Sequence, residues 1–94
     1  MPVVRIEHTV PDFEKWKRAF DSDPADRKGS GVRRYQISRP VNQPDYVMID
    51  LEFTNLGEAE AFLNTMQRLW SGAGSAVMHN PRVCIAEVFE VKDF

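Results

Sequence analysis

His8 is the residue of this sequence best placed for acid–base chemistry. It closes an alternating segment, residues 3–8, and stands directly before a helix signal at residues 10–12. In that place the imidazole could act as a catalytic general base or as a polar contact for a ligand at the mouth of the fold. The competing interpretation is a structural histidine that hydrogen-bonds the backbone where a strand turns into a helix. Both roles stay open on the sequence alone.

Three aromatic side chains could form the walls of a substrate-binding pocket. Trp16 and Trp70 each fall on the apolar stripe of a predicted helix, and Tyr35 falls on a predicted strand, where its hydroxyl could orient a ligand. A pocket lined in this way, between helices and sheet, suits a planar aromatic ligand. The alternative is that the three side chains only fill the core, because helical apolar stripes usually do so.

The remaining groups with reactive side chains give no further motif. His79 lies in a loop, residues 78–81, where a single histidine is typical of a solvated position. Two histidines and one cysteine without ligand spacing predict no metal site. Cys84 has apolar neighbours in a predicted strand, which indicates an inert, buried thiol. Phosphate-loop, dinucleotide and nucleophile-elbow motifs are missing, so we expect no cofactor.

Composition limits the class of protein. With 94 residues the chain has room for one core, so residues 1–94 are expected to form a single domain. Twelve basic and fourteen acidic side chains give a net charge of −2 without long runs of one sign, which argues against nucleic-acid and membrane-surface partners. No apolar run approaches the length of a membrane-spanning helix. The single cysteine and the lack of a signal-peptide pattern predict a cytoplasmic protein.

Periodicity predicts six elements in the order βαββαβ. Alternating side chains indicate strands, spacings of three and four indicate helices, and Asp12 and Asn55 are the predicted N-caps. Pro24 is expected to begin a short helical turn, and residues 71–74 are expected to end the second helix. The predicted strands cover residues 3–8, 32–39, 46–53 and 82–91, and the predicted helices begin at Phe13 and after Asn55.

This order predicts an α+β, ferredoxin-like fold. Two interleaved βαβ units give a four-stranded antiparallel sheet in the order 4-1-3-2, with both helices on one face. The last strand is an edge strand, and it is predicted to be apolar on both faces: Val83, Ile85, Phe89 and Val91 on one, Cys84, Ala86 and Val88 on the other. An apolar edge beside an uncovered face favours association. We therefore expect a homodimer that pairs face to face.

The face without helices also carries polar residues, which such a dimer would enclose. Buried charges are tolerated when they are paired or when they line a wet cavity. We expect one of these two arrangements for Arg5, Glu7, Arg34, Gln36, Asp50 and Glu52.

Three segments, residues 5–16, 31–35 and 58–63, resemble the dimeric α/β-barrel superfamily, and within it the small bacterial proteins grouped with the antibiotic biosynthesis monooxygenases. The resemblance implies a cofactor-independent monooxygenase-like enzyme whose small aromatic ligand supplies its own electrons to oxygen. It implies that Trp16, Tyr35 and Trp70 form the pocket walls and that His8 is the base or hydrogen-bond partner.

The resemblance also bears on His79. Haem-degrading members of the superfamily use an asparagine, a tryptophan and a histidine, and the order of Trp70 and His79 is similar. This similarity makes His79 a candidate for substrate binding. Glu7 and His8 stand in the first strand where the asparagine would be, so haem chemistry is not predicted. The alternative to an enzyme is a non-catalytic dimeric module that binds a ligand or another protein.

Overall fold

Six elements follow the predicted order in the computed structural model, which describes residues 1–23, 25–71 and 79–94, and only the backbone of residues 79 and 80. The strand order β2-β3-β1-β4, with antiparallel neighbours throughout, is the predicted order read from its other edge. The α+β, ferredoxin-like fold is therefore confirmed. The elements are β1 (Pro2–Thr9), α1 (Phe13–Asp21), β2 (Val32–Ser38), β3 (Tyr46–Phe53), α2 (Leu56–Trp70) and β4 (His79–Glu87).

Strict alternation gives the sheet one apolar face under the helices. In β3 every second side chain is buried, and β1 follows the same rule at Val4, Ile6 and His8. Ile6 lies opposite Ile49 of β3 and Val83 of β4, so the apolar positions of the three strands form continuous rows. The core lies between these rows and the buried stripes of the two helices, as their side-chain period requires.

Both helices begin at the predicted caps. The Asp12 carboxylate accepts a hydrogen bond from the Lys15 backbone N–H at 3.2 Å, and the Asn55 amide oxygen accepts one from the Glu58 N–H at 2.8 Å. The Asn55 amide nitrogen also donates to the Glu58 carboxylate at 3.0 Å. These side chains satisfy backbone donors that a helix leaves unpaired at its N-terminus.

The last strand differs from its prediction at both ends. β4 begins at residue 79 because β1 extends to Thr9, which pairs with it. It ends at Glu87, opposite Pro2, which is the first residue of β1. Phe89 and Val91, predicted to share a strand face with Val83 and Ile85, therefore lie beyond the strand and are 100% and 76% exposed. The prediction of a buried Cys84 was also wrong: Cys84 lies on the face of the sheet without helices and is exposed.

The second strand contains an irregularity that its sequence pattern does not show. The register between β2 and β3 shifts between Val32 and Arg34. Strict alternation along residues 32–39 would place Val32 on the face of Arg34, but Val32 pairs with the buried Phe53 and packs against the core. A bulge of one residue reverses which face each later side chain occupies, which explains the difference.

Pro24, where a short helical turn was predicted to begin, and residues 72–74, the predicted glycine-containing end of the second helix, lie outside the described residues. Neither helix in the described part of the chain has the length and apolar character needed to cross a membrane. The cytoplasmic location stays a prediction.

Candidate functional site

An apolar cavity of about 90 Å³ lies between the sheet and the two helices. The sheet forms its floor, one face of each helix forms its walls, and the loop after α1 forms its mouth. Almost all of its lining is hydrocarbon or aromatic, as in small-molecule sites. The lining residues are Ile6, Trp16, Ala19, Phe20, Asp23, Ala25, Arg27, Ile49, Leu51, Phe62, Met66, Leu69 and Trp70.

Two helical stripes position the aromatic walls. On α1, Trp16 and Phe20 are four residues apart, and their rings stack with centroids 5.2 Å apart. On α2, Phe62, Met66, Leu69 and Trp70 repeat at spacings of three and four and turn the same side toward the sheet. Trp16 and Trp70 therefore both line the cavity, one from each helix.

The indole nitrogen of Trp70 is a buried polar atom in this wall. Nε1 has no hydrogen-bond partner among the residues that the structure describes. A buried N–H donor without a partner is unfavourable, and a ligand acceptor would relieve it. The predicted substrate-binding role of His79 cannot be placed beside it, because the His79 side chain lies outside the described part of the chain.

Asp23 and Arg27 supply the charged groups at the mouth of the cavity. The Asp23 carboxylate accepts a hydrogen bond from the Arg27 backbone N–H at 2.9 Å and lies 3.1 Å from the Arg27 Nε. The guanidinium carbon lies 3.8 Å from the centroid of the Phe20 ring, so the cation covers an aromatic face. Asp23 has a φ of +54°, a left-handed conformation that costs energy outside glycine and is enriched at functional sites.

Tyr35 lies next to the cavity and does not line it. Its ring meets the edge of Phe20 at 5.2 Å, and the Arg27 guanidinium carbon lies 5.0 Å from its centroid. Tyr35 instead lines a second, more open groove of about 430 Å³. The residues of this groove are Asp23, Arg27, Lys28, Val32, Arg33, Arg34 and Tyr35, so it shares Asp23 and Arg27 with the cavity.

His8 lies behind the cavity wall. The residue is 1% exposed, its ring centroid is 5.8 Å from that of Trp16, and Nδ1 lies 3.1 Å from the Thr9 carbonyl oxygen. His8 is absent from the lining of the cavity. Trp16, which does line the cavity, is the ring next to His8. The predicted catalytic role of His8 stays a prediction.

The open face of the sheet carries paired polar groups. Arg5 Nε lies 2.8 Å from Asp50 Oδ1, and Arg34 Nε lies 2.5 Å from Glu52 Oε2. The Tyr46 hydroxyl donates a hydrogen bond to the Glu7 carboxylate at 2.8 Å. This hydrogen bond, with burial and the Glu7 charge, raises the pKa of Tyr46 above its ordinary value. The paired arrangement expected for Arg5, Arg34 and their partners is thus present within one chain.

Sequence reasoning missed the charged pair at the mouth. The four-residue spacing of Asp23 and Arg27 was the available signal, but such spacing is common in exposed turns. Among the residues that the structure describes, no three histidine, cysteine, aspartate or glutamate side chains are grouped closely enough to hold a metal ion.

Comparison with known proteins shows the fold. No protein-family model and no curated protein sequence matches the chain. Solved structures do match it. A Deinococcus radiodurans protein assigned to the antibiotic biosynthesis monooxygenases has a TM-score of 0.68 and 18% identity over 100% of this chain and 98% of its own.

Two further solved structures have the same arrangement. A variant of SnoaB, a cofactor-independent oxygenase from Streptomyces nogalater, has a TM-score of 0.78 and 13% identity over 96% of this chain and 94% of its own. A dimeric ferredoxin-like protein from an uncultured marine organism has a TM-score of 0.63 and 12% identity over 96% and 97%. The chain therefore has the ferredoxin-like fold of the antibiotic biosynthesis monooxygenase-like proteins.

Proposed function

We propose that this protein binds a small aromatic compound in the cavity between helices and sheet and oxidises it with molecular oxygen, without a cofactor. The observation that carries the proposal is the cavity itself: an aromatic and aliphatic lining with one ion pair at its mouth. The fold shared with SnoaB supports the type of reaction. Fold alone does not determine function, so the chemistry must follow from the site.

The reaction needs no electron donor other than the substrate. A phenol such as 1-naphthol reacts with one O₂ to give 1,4-naphthoquinone and one water. One oxygen atom enters the ring, and the other leaves as water with the two hydrogens that the naphthol loses. The naphthol gives up four electrons and the O₂ accepts four. The protein would supply a dry aromatic site and a proton acceptor, which lowers the barrier to electron transfer from the substrate.

The proposed roles follow the placement of each residue. Trp16 and Trp70 form walls against the ring of the ligand, and the Trp70 Nε1 hydrogen can donate to an oxygen of the ligand. Tyr35 supports the wall through Phe20. His8 is the proposed proton acceptor; it lies outside the cavity lining beside Trp16, so this role requires a side-chain movement that brings the ligand to it.

The size of the cavity bears on the substrate. About 90 Å³ is less than the roughly 150 Å³ of an engineered cavity that binds benzene. The cavity therefore accepts part of an aromatic ring system, and the remainder of the ligand projects through the mouth. A polycyclic ligand requires outward movement of the side chains at the end of α2.

A variant in which an added side chain fills the cavity tests this proposal. Ala19→Phe places a ring in the cavity, whereas Ala61→Phe makes the same change on the exposed side of α2. We expect 1-naphthol to quench the tryptophan fluorescence of the wild type and of the Ala61 variant, and the Ala19 variant to lose most of this response. With ¹⁸O₂, the naphthoquinone formed should carry one labelled atom. Equal quenching in both variants would place the ligand elsewhere and contradict the proposal.

The second candidate function is non-catalytic binding of the same class of ligand. The observation that favours it is the scarcity of proton acceptors in the described lining of the cavity: Asp23 is one, and it is already paired with Arg27. This alternative would be supported if a series of phenols and hydroquinones bound in the cavity and none of them caused oxygen consumption. Loss of oxidation in His8→Ala, with binding retained, would decide for the enzyme.

We also propose that the protein is a homodimer paired through the open face. This face carries Arg5, Arg34 and Arg82 against Glu7, Asp50 and Glu52, so its described charges balance. Beside the face, residues 88–94 expose Val88, Phe89, Val91 and Phe94. Exposed apolar side chains near a polar face whose charges balance are typical of a surface that a second copy covers.

A further inference from the structure

The groove beside the cavity mouth has a charge opposite to that of the whole molecule. The chain has a net charge of −2. In contrast, the groove is lined by four cationic side chains and one carboxylate: Arg27, Lys28, Arg33, Arg34 and Asp23. Asp23 is paired with Arg27, and Arg34 is paired with Glu52. Lys28 and Arg33 have no ion pair with any residue that the structure describes, so the groove attracts anions.

Arg27 connects this groove to the apolar cavity. Its side chain is 15% exposed, and it lines both spaces. A guanidinium that is nearly buried needs strong compensation for its lost hydration. The Phe20 and Tyr35 rings and the Asp23 carboxylate provide part of it.

The terminal nitrogens of Arg27 are available for a ligand. Asp23 meets the Nε edge and the backbone N–H, and neither Nη nitrogen donates a hydrogen bond to a residue in the described part of the chain. A guanidinium offers two parallel N–H groups to a planar carboxylate, and such charge-assisted pairs are stronger than neutral hydrogen bonds. The Asp23 contact and the two rings fix the plane of the guanidinium in advance, which reduces the entropy lost on binding.

We propose that the natural ligand is an aromatic carboxylate, held with its ring in the cavity and its carboxylate on Arg27 at the mouth. This inference rests on the proposed function, because it requires the ring to occupy the cavity. Lys28 and Arg33 increase the local concentration of the anion, and Arg27 makes the direct contact. Specificity for the carboxylate thus comes from one residue, while attraction comes from the groove as a whole.

Two probes of nearly equal shape test the inference: 2-naphthoate and 2-naphthamide. They differ by one charge, and their rings are identical. We expect the wild type to bind 2-naphthoate about tenfold more tightly than 2-naphthamide in tryptophan fluorescence titrations at low salt, as a charge-assisted pair requires. Arg27→Met should remove this preference and keep the affinity for 2-naphthamide.

Arg39→Met is the matched control. Arg39 also covers an aromatic ring, with its guanidinium carbon 4.2 Å from the centroid of Phe13, but it lines neither the cavity nor the groove. The control loses the same charge and the same type of ring contact. We expect it to keep the preference for 2-naphthoate.

A measurement on the wild type makes the test independent of the folding of the variant. In ¹⁵N-resolved NMR, the Arg27 Nε–H signal should shift with 2-naphthoate and stay in place with 2-naphthamide. Equal affinity for the two probes, or a preference that survives Arg27→Met, would overturn the inference and leave the aromatic cavity standing. Failure of both probes to bind would overturn the inference together with the proposed function.

Discussion

The hydrogen bond between Tyr46 and Glu7 makes the stability of the fold depend on pH in the alkaline range. The hydrogen bond to the Glu7 carboxylate raises the pKa of Tyr46 in the folded protein. A raised folded pKa means that the neutral phenol stabilises the fold below the ordinary tyrosine pKa of about 10, and that this contribution is lost as pH rises through the folded value. A phenolate beside a carboxylate would instead be repulsive.

We therefore expect Tyr46→Phe to lower the free energy of unfolding at about pH 8 and to have a much smaller effect at about pH 11. Urea denaturation at the two pH values measures the difference. Tyr35→Phe is the control, because the Tyr35 hydroxyl makes no hydrogen bond to a residue that the structure describes. A loss of stability in Tyr46→Phe that is the same at both pH values would show that the hydrogen bond to Glu7 does not matter.

At the residue scale, helical spacing predicted two aromatic side chains that line the cavity, whereas the third, Tyr35, lies beside it, and the charged pair at the mouth was missed. Trp16 and Trp70 were predictable because helical spacing places them on core-facing stripes. Arg27 was not predictable, because its contacts with Phe20 and Tyr35 join a loop to the helix before it and the strand after it. Sequence periodicity indicates which residues are neighbours within one element. The contacts of Arg27 depend instead on how three elements pack together.

The second helix depends on its first turn. Asn55 accepts the Glu58 N–H at 2.8 Å and donates to the Glu58 carboxylate, so one side chain orders the whole start of α2. That helix carries Phe62, Met66, Leu69 and Trp70 into the cavity wall. Loss of the cap therefore acts on the stability of the fold and on the order of the site.

Asn55→Ala should reduce the free energy of unfolding by about 1 kcal/mol, the usual value of an N-cap. The control is Asn64→Ala, the same change at an exposed position inside α2, where alanine has the higher helix propensity. We expect this control to be neutral or slightly stabilising. Equal effects of the two substitutions in urea denaturation would mean that the cap contributes nothing.

At the element scale, the bounds of a strand were predicted accurately where its side chains alternate regularly, and less accurately where its pairing with a neighbouring strand is irregular or ends. β3 was predicted at residues 46–53 and is found there, because its alternation is unbroken and both neighbouring strands pair with it. The bulge near Val32 escaped prediction, since one inserted residue leaves both alternations equally plausible. The alternating pattern of the last strand also continues through Phe89. A strand requires a partner, however, and the pairing of β4 with β1 stops at Glu87, opposite Pro2.

At the scale of the whole molecule, the exposed apolar side chains after Glu87 allow the proposed association of two copies to be tested. Phe89 is fully exposed and Val91 is 76% exposed, which is unfavourable for a single copy in water. A paired copy would cover these side chains together with the open face. We therefore expect the wild type to sediment as a dimer at micromolar concentration.

The double variant Phe89→Ser, Val91→Ser should shift this equilibrium toward the monomer, because it removes the apolar surface that association buries. Val41→Ser is the control: Val41 is as exposed as Phe89, but it lies in the turn between β2 and β3. Sedimentation velocity over a dilution series measures both variants. A wild type that remains a folded monomer at the highest concentration would contradict the proposed dimer.

The small interior space has a consequence for selectivity. A cavity of about 90 Å³, with indole and phenyl groups among its walls, would exclude bulky ligands whatever their reactivity. Each additional methylene that fails to fit would cost on the order of 1–3 kcal/mol. Among compounds that are equally easy to oxidise, the protein would therefore bind those whose shape fits the cavity. Single substitutions at Met66 or Leu69 would change the shape of the cavity without altering any charged group.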